Sequence, residues 1–119
     1  LSDLEEIKVD FLQSRIFVFT PKGDVIDLPE GATPVDLAFH IHTEIGNKCS
    51  GALVNENMTA LDTKLRNGDV VEIITDKNRK GPSRDWLKFV KTQTAKERIN
   101  SALKKQQEAN IIGWFMNTK

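Results

Sequence analysis

The tetrapeptide Thr33-Pro34-Val35-Asp36 fixes one helix start more firmly than any other signal in the chain, and strand-forming runs stand on both sides of it. Thr33 offers an oxygen to the free N–H groups of a first turn, Pro34 suits the first helical position, and Asp36 completes a capping box at the positive end of the dipole. Placed at 100° per residue, Val35, Leu37, Ala38, Phe39, Ile41 and Ile45 fill one broad apolar face. With Gly46 as the stop, the spacing predicts a single helix over Pro34–Glu44. His40 falls on its polar face between Asp36 and Glu44, and His42 falls inside the apolar arc near the end. Cutting Ile41 or Ile45 back to Ala should then cost roughly 2–4 kcal/mol by opening a cavity.

Before the helix, Arg15-Ile16-Phe17-Val18-Phe19-Thr20 is rich in β-branched and aromatic residues, and Val25-Ile26-Asp27-Leu28 follows the turn Pro21-Lys22-Gly23-Asp24. These read as a hairpin. After the helix come a short strand at Ala52-Leu53-Val54, a turn at Asn55-Glu56-Asn57, and a possible helical turn between Leu61 and Leu65. Asn67-Gly68-Asp69 then leads into Val70–Thr75, the strongest strand signal in the sequence. Hairpin, helix, short strands and a final strand make an α+β order in which one helix covers one face of a mixed sheet. That is the β-grasp, ubiquitin-like arrangement, with the last strand expected in the middle of a four- or five-stranded sheet.

Charge divides the chain where the fold signal ends. Residues 1–75 carry six Lys or Arg against thirteen Asp or Glu, whereas residues 76–119 carry eleven against four. Asymmetry of this kind marks two units with different surroundings. The boundaries expected are a linker or the end of an upstream helix at 1–14, the β-grasp domain at 15–76 and a helical extension at 77–119. Leu4, Ile7, Val9, Phe11 and Leu12 supply the apolar positions of the first piece. In the extension, Ser83 caps a short helix carrying Trp86, Leu87, Phe89 and Val90. Thr94-Ala95-Lys96-Glu97 reads as a second capping box, and Ala95, Ile99, Ala102 and Leu103 form a narrow apolar stripe that widens into a patch at Ile111–Met116. The chain begins at Leu1 without an initiator Met, and is read as a segment of a longer protein.

The residue types exclude most chemistries. No nucleophile-elbow pattern accompanies a His and an acid, and no Gly-x-x-x-x-Gly-Lys loop is present. His40, His42 and Cys49 make three possible metal ligands, one short of a structural zinc site, with no second Cys/His cluster to supply the fourth. The expectation is therefore no catalytic residue, no metal and no cofactor. No run is long and apolar enough for a membrane span, and one cysteine forms no internal disulfide and suits a reducing, cytoplasmic setting. Each remaining residue has a packing role available: His42 at a core edge, Cys49 as a small buried hydrophobe, Trp86 and Trp114 as packing anchors.

The string Val18-Phe19-Thr20-Pro21-Lys22-Gly23-Asp24, continued by Asp27-Leu28-Pro29, resembles the opening of a TGS domain. The run from Gly31 to His42, followed by Gly46 and Cys49, is more specific, and is similar to the long (p)ppGpp synthetases and hydrolases of the Rel/Spo family. Asn67-Gly68-Asp69 and Pro82-Ser83-Arg84-Asp85-Trp86-Leu87 continue the match, so the resemblance runs from about Phe11 to about Leu103. It implies a regulatory domain of the stringent response, with the pyrophosphokinase and hydrolase chemistry in domains elsewhere in the longer protein. It further implies that the free 3′-CCA end of deacylated tRNA on the ribosome is the ligand. On the family's His-x-His motif, His42 meets the terminal nucleotides, Lys48 meets phosphate, and His40 is the spare candidate because periodicity exposes it more. The resemblance also allows a protein-interaction module, with acyl carrier protein or the longer protein's own catalytic domains as partner.

Overall fold

The computed structural model describes residues 14–117, with side chains through Glu108. The apolar positions Leu4–Leu12 lie outside the described residues, as do the side chains of the Ile111–Met116 patch, Trp114 among them. Strands β1 (Arg15–Phe19) and β2 (Val25–Pro29) pair antiparallel, with Phe17 opposite Asp27 and Phe19 opposite Val25. Helices α1 (Pro34–Ile41) and α2 (Thr43–Asn47) follow, then β3 (Cys49–Val54), β4 (Asn57–Thr59) and β5 (Val71–Thr75). β3 pairs antiparallel with both β4 and β5.

One short parallel join makes a single layer of the two sheets. Phe19 bridges Val70, the Phe19 N–H donates to the Asp69 carbonyl at 2.8 Å, and the Gly68 N–H donates to the Phe17 carbonyl at 2.7 Å. Asn67 extends the ladder by one rung, its Oδ1 accepting the Phe17 N–H at 2.8 Å. The strand order is therefore β2-β1-β5-β3-β4, with β5 in the middle as the β-grasp reading requires.

The predicted single helix is broken. His42 has φ −166° and ψ 145°, an extended residue that ends α1 and begins α2. Ile41 is consequently 40% exposed, so its truncation opens no cavity and the cost expected from the uninterrupted helix does not apply to it. The break folds α2 back on α1. Residues seven apart in a straight helix lie about 10 Å apart along its axis, yet a Cβ at Gly46 would overlap the buried ring of Phe39. Gly46→Ala, which on helix propensity alone should stabilise by about 1 kcal/mol, is expected to destabilise by about 1–3 kcal/mol through overpacking. Urea unfolding reads the sign directly, and a stabilised variant would contradict the folded-back geometry.

Asp36, read from sequence as part of a polar face, is only 1% exposed. The extension packs over it, so α1 is covered on both sides. Toward the sheet, Leu37 joins Ile16, Val18, Leu28, Ala32, Leu65 and Val71. Toward the extension, Val35, Ala38 and Phe39 join Cys49, Trp86, Val90, Ala95 and Ile99. Trp86 comes from a 3-10 helix (Arg84–Lys88), started by the Ser83 hydroxyl accepting the Asp85 N–H at 3.3 Å, Ala95 and Ile99 from helix α3 (Gln93–Asn117), Val90 from the link between them and Cys49 from β3. The cap of α3 is Thr92, whose Oγ1 accepts the Ala95 N–H at 3.1 Å, and not the predicted Thr94. Thr92 wins because it also reaches Asp36. Among the described residues no helix is long and apolar enough to cross a membrane.

Candidate functional site

The break between α1 and α2 puts the two histidines into solvent by different routes. His40 sits in the last turn of α1 and lines a groove between the helices and the sheet, together with Ile41, Ile45, Ile73, Lys22 and Glu72. His42 is outside the helical arc altogether. Its backbone N–H closes α1 on the Ala38 carbonyl at 3.2 Å, and its carbonyl accepts the Gly46 N–H at 3.1 Å. Its ring Nδ1 accepts the Glu44 N–H at 3.0 Å, so the imidazole acts as the cap of α2. With Nδ1 engaged as an acceptor, the neutral ring carries its N–H at Nε2, on an exposed residue. The residue that periodicity placed at a core edge is thus an exposed, oriented ring.

Lys48 ends α2, and its ammonium donates to the Lys77 carbonyl at 3.0 Å. The backbone fastens the same place, since the Asp76 N–H donates to the Lys48 carbonyl at 2.9 Å. An ammonium carries three donors, so two remain for an incoming group. The structure brings His40 and His42 to one helix break and Lys48 to the far end of the short helix α2; the groove takes in His40 but neither of the other two.

The other candidate residues are accounted for by packing. Cys49 is fully buried, and burial pushes its thiol up to about 11, which leaves it protonated and inert at neutral pH. Among the described residues no three of His, Cys, Asp or Glu come together as metal ligands. Trp86 is 5% exposed and carries the Arg79 guanidinium on its ring face, 4.6 Å from the centroid, so it offers no free face for a base.

Asp36, which the sequence offered only as a capping-box residue, and Arg98, which it did not single out, support the break from behind. Asp36 accepts from the Lys91 N–H at 2.9 Å, the Thr92 N–H at 2.9 Å and the Thr92 hydroxyl at 3.0 Å, while still accepting the Thr33 N–H at 2.8 Å. Arg98 of α3 donates from Nη1 to the Phe39 carbonyl at 2.7 Å. The only sequence signal for either was the capping box at Asp36; its partners lie 55 and 56 residues further on.

The TGS domain family model matches residues 16–75. Over 109 residues the chain is 53% identical to the GTP pyrophosphokinase of Myxococcus xanthus, covering 92% of this chain and 14% of that protein. It is 54% identical to the guanosine-3′,5′-bis(diphosphate) 3′-pyrophosphohydrolase of Aquifex aeolicus, covering 92% and 16%. It is 51% identical over 110 residues to the bifunctional (p)ppGpp synthase/hydrolase RelA of Mycobacterium tuberculosis, covering 92% and 15%. The chain therefore spans only a small part of the curated relatives it matches. A crystal structure of a GTP binding protein from Pyrococcus horikoshii OT3 superposes with a TM-score of 0.52 at 28% identity, over 58% of this chain and 23% of that one.

Proposed function

Because the chain belongs to the TGS domain family, in the form carried by the Rel/Spo (p)ppGpp synthetases and hydrolases, we propose that it senses the free 3′-CCA end of deacylated tRNA on the ribosome. The domain is regulatory, and the alarmone chemistry belongs to other domains of a longer cytoplasmic protein. The observation that carries the reading is the oriented, solvent-facing imidazole of His42 at the helix break. An unpaired CCA end has free base faces, and such ends are read by stacking and by hydrogen bonds to base and ribose edges. A ring held through Nδ1 presents both a stacking face and an Nε2–H donor. His40 is the second contact, and the free donors of Lys48 take a backbone phosphate. The basic extension, with exposed Lys88, Lys91 and Lys96, supplies long-range attraction that the acidic β-grasp unit lacks.

The test exchanges this chain for the matching segment of the Myxococcus xanthus pyrophosphokinase and measures alarmone synthesis with and without ribosomes and deacylated tRNA. His42→Ala should lower the stimulated-to-unstimulated ratio by about one to two decades, the worth of one stacked base. The melting temperature should fall by only about 4–8 °C, the loss of one exposed helix cap, with the unstimulated rate unchanged. His40→Ala should have a smaller effect. If His42→Ala lowers stability and both rates together, the residue is only a helix cap and the reading fails. If Lys88 and Lys91, rather than the histidines, control the response, the partner is an acidic protein such as acyl carrier protein.

A further inference from the structure

An uninterrupted α-helix spends the carbonyl of residue 39 on the N–H of residue 43, four positions on. The extended backbone at His42 breaks that series, and the Phe39 carbonyl instead accepts from Arg98 Nη1 at 2.7 Å. We propose that Arg98 is the positioning residue of the histidine site: it holds the α1–α2 break open and so keeps His42 in solvent. The inference rests on the reading of His42 as the RNA contact, and deepens it.

Three features make Arg98 suited to this. Its bond is charge-assisted, and such bonds are about twice as strong as neutral ones. Its base is rigid, since Ala95 and Ile99 on either side of it are fully buried against the cluster that contains Phe39. The start of α3 is fixed in turn by the Lys91 and Thr92 donors on Asp36. Local sequence, by contrast, does not demand the break. No Gly or Pro interrupts Val35–Ile45, and the apolar arc of a straight helix includes His42. A donor from a distant helix therefore decides between two backbone paths. Without it, the Phe39 carbonyl regains a partner by closing on Thr43, which rotates His42 onto the apolar arc and removes its ring from solvent. Helix α3 is by this route mechanically joined to the site: displacing α3 withdraws Arg98, and re-forming the helix withdraws His42.

The experiment uses the isotopically labelled chain and reads the break without RNA. In Arg98→Met the Thr43 amide should exchange at least about tenfold more slowly, because the re-formed helix gives it the Phe39 carbonyl as a partner and so protects it. The His42 Cα shift should move to the helical side, while amides of β3 and β5 stay as they are. Arg98→Lys, which keeps a charged donor, should return Thr43 exchange to within about threefold of the unsubstituted chain. Should Arg98→Met not fold, Arg98→Ala, which also lacks a donor and keeps the helix propensity of α3, reads the same amide. Unchanged Thr43 exchange and His42 shift in either donor-deficient variant would overturn the proposal. In binding, Arg98→Met should weaken deacylated tRNA as much as His42→Ala does, and wild-type affinity in that variant would overturn it too. If the unsubstituted chain binds no tRNA while the amide effects appear, the RNA reading fails and the positioning role stands.

Discussion

Asp36→Ala should cost about 3–5 kcal/mol of stability, the largest loss expected from any single side chain among the described residues. The carboxylate is 1% exposed and is the common acceptor for the Thr33, Lys91 and Thr92 N–H groups and for the hydroxyls of Thr33 and Thr92. A carboxylate is an acceptor only, which suits a pocket made entirely of donors. Each buried donor left without a partner costs roughly 1–3 kcal/mol, and three of these are backbone N–H groups that cannot be turned elsewhere. Water entering the space left by the carboxylate offsets part of the sum. The remainder is still a large share of the roughly 5–15 kcal/mol that holds a domain together. At about 4–8 °C per kcal/mol for a domain of this size, the melting temperature should fall by at least about 12 °C. Asp36→Asn, which keeps the shape but presents an NH2 to donors, should lose nearly as much. Thr92→Val removes one hydroxyl and one cap, and should cost only about 1 kcal/mol. Thermal unfolding with amide exchange at Lys91 and Thr92 checks the series. A loss below about 1 kcal/mol for Asp36→Ala would mean that the extension is held by apolar packing alone.

The unequal legibility of this fold follows from the range of the interactions involved. The Thr33 cap, the hairpin turn at Pro21–Asp24 and the central place of the last strand are written locally. A side chain three residues from its partner, a Pro, a Gly or a run of β-branched residues is enough to specify each. The hairpin and the middle strand accordingly stand where the residues put them, and so does the start of α1. The helix break was not legible, because the Val35–Ile45 pattern suits a straight helix and the residue that separates the two paths, Arg98, is 59 positions from Phe39. The burial of Asp36 was misread for the same reason. Periodicity places it on a polar face, and nothing within a turn of it shows that a second helix will cover that face. The second capping box misled in turn: Thr94 and Glu97 have the right spacing, but Thr92 gains Asp36 as an additional partner and takes the cap. At the candidate site the sequence misjudged where one of the two histidines stands. His42 was placed inside the helical arc and stands outside it, whereas His40 was placed on the exposed side and is exposed.

A domain that reads a free tRNA 3′ end through His42 must discriminate by acylation state. An amino acid esterified to the terminal ribose adds bulk and an ammonium group at the point where the imidazole meets the RNA. It also removes a hydroxyl that Nε2–H and neighbouring donors would otherwise order. Exclusion of this kind is a difference of affinities, and needs no contact with the amino acid itself. Stacking lost at one base is worth about 1–3 kcal/mol, so the two forms should differ by about one to two decades in Kd. The backbone contribution is common to both forms and falls with salt, so the comparison is made at one fixed ionic strength. The decisive measurement is the Kd of this chain for one deacylated tRNA and for the same tRNA carrying a non-hydrolysable amide-linked amino acid, with His42→Ala measured alongside. The deacylated form should bind at least about tenfold more tightly, and His42→Ala should erase the difference by weakening that form. Equal affinity for the two tRNAs, or a difference that survives His42→Ala, would contradict it.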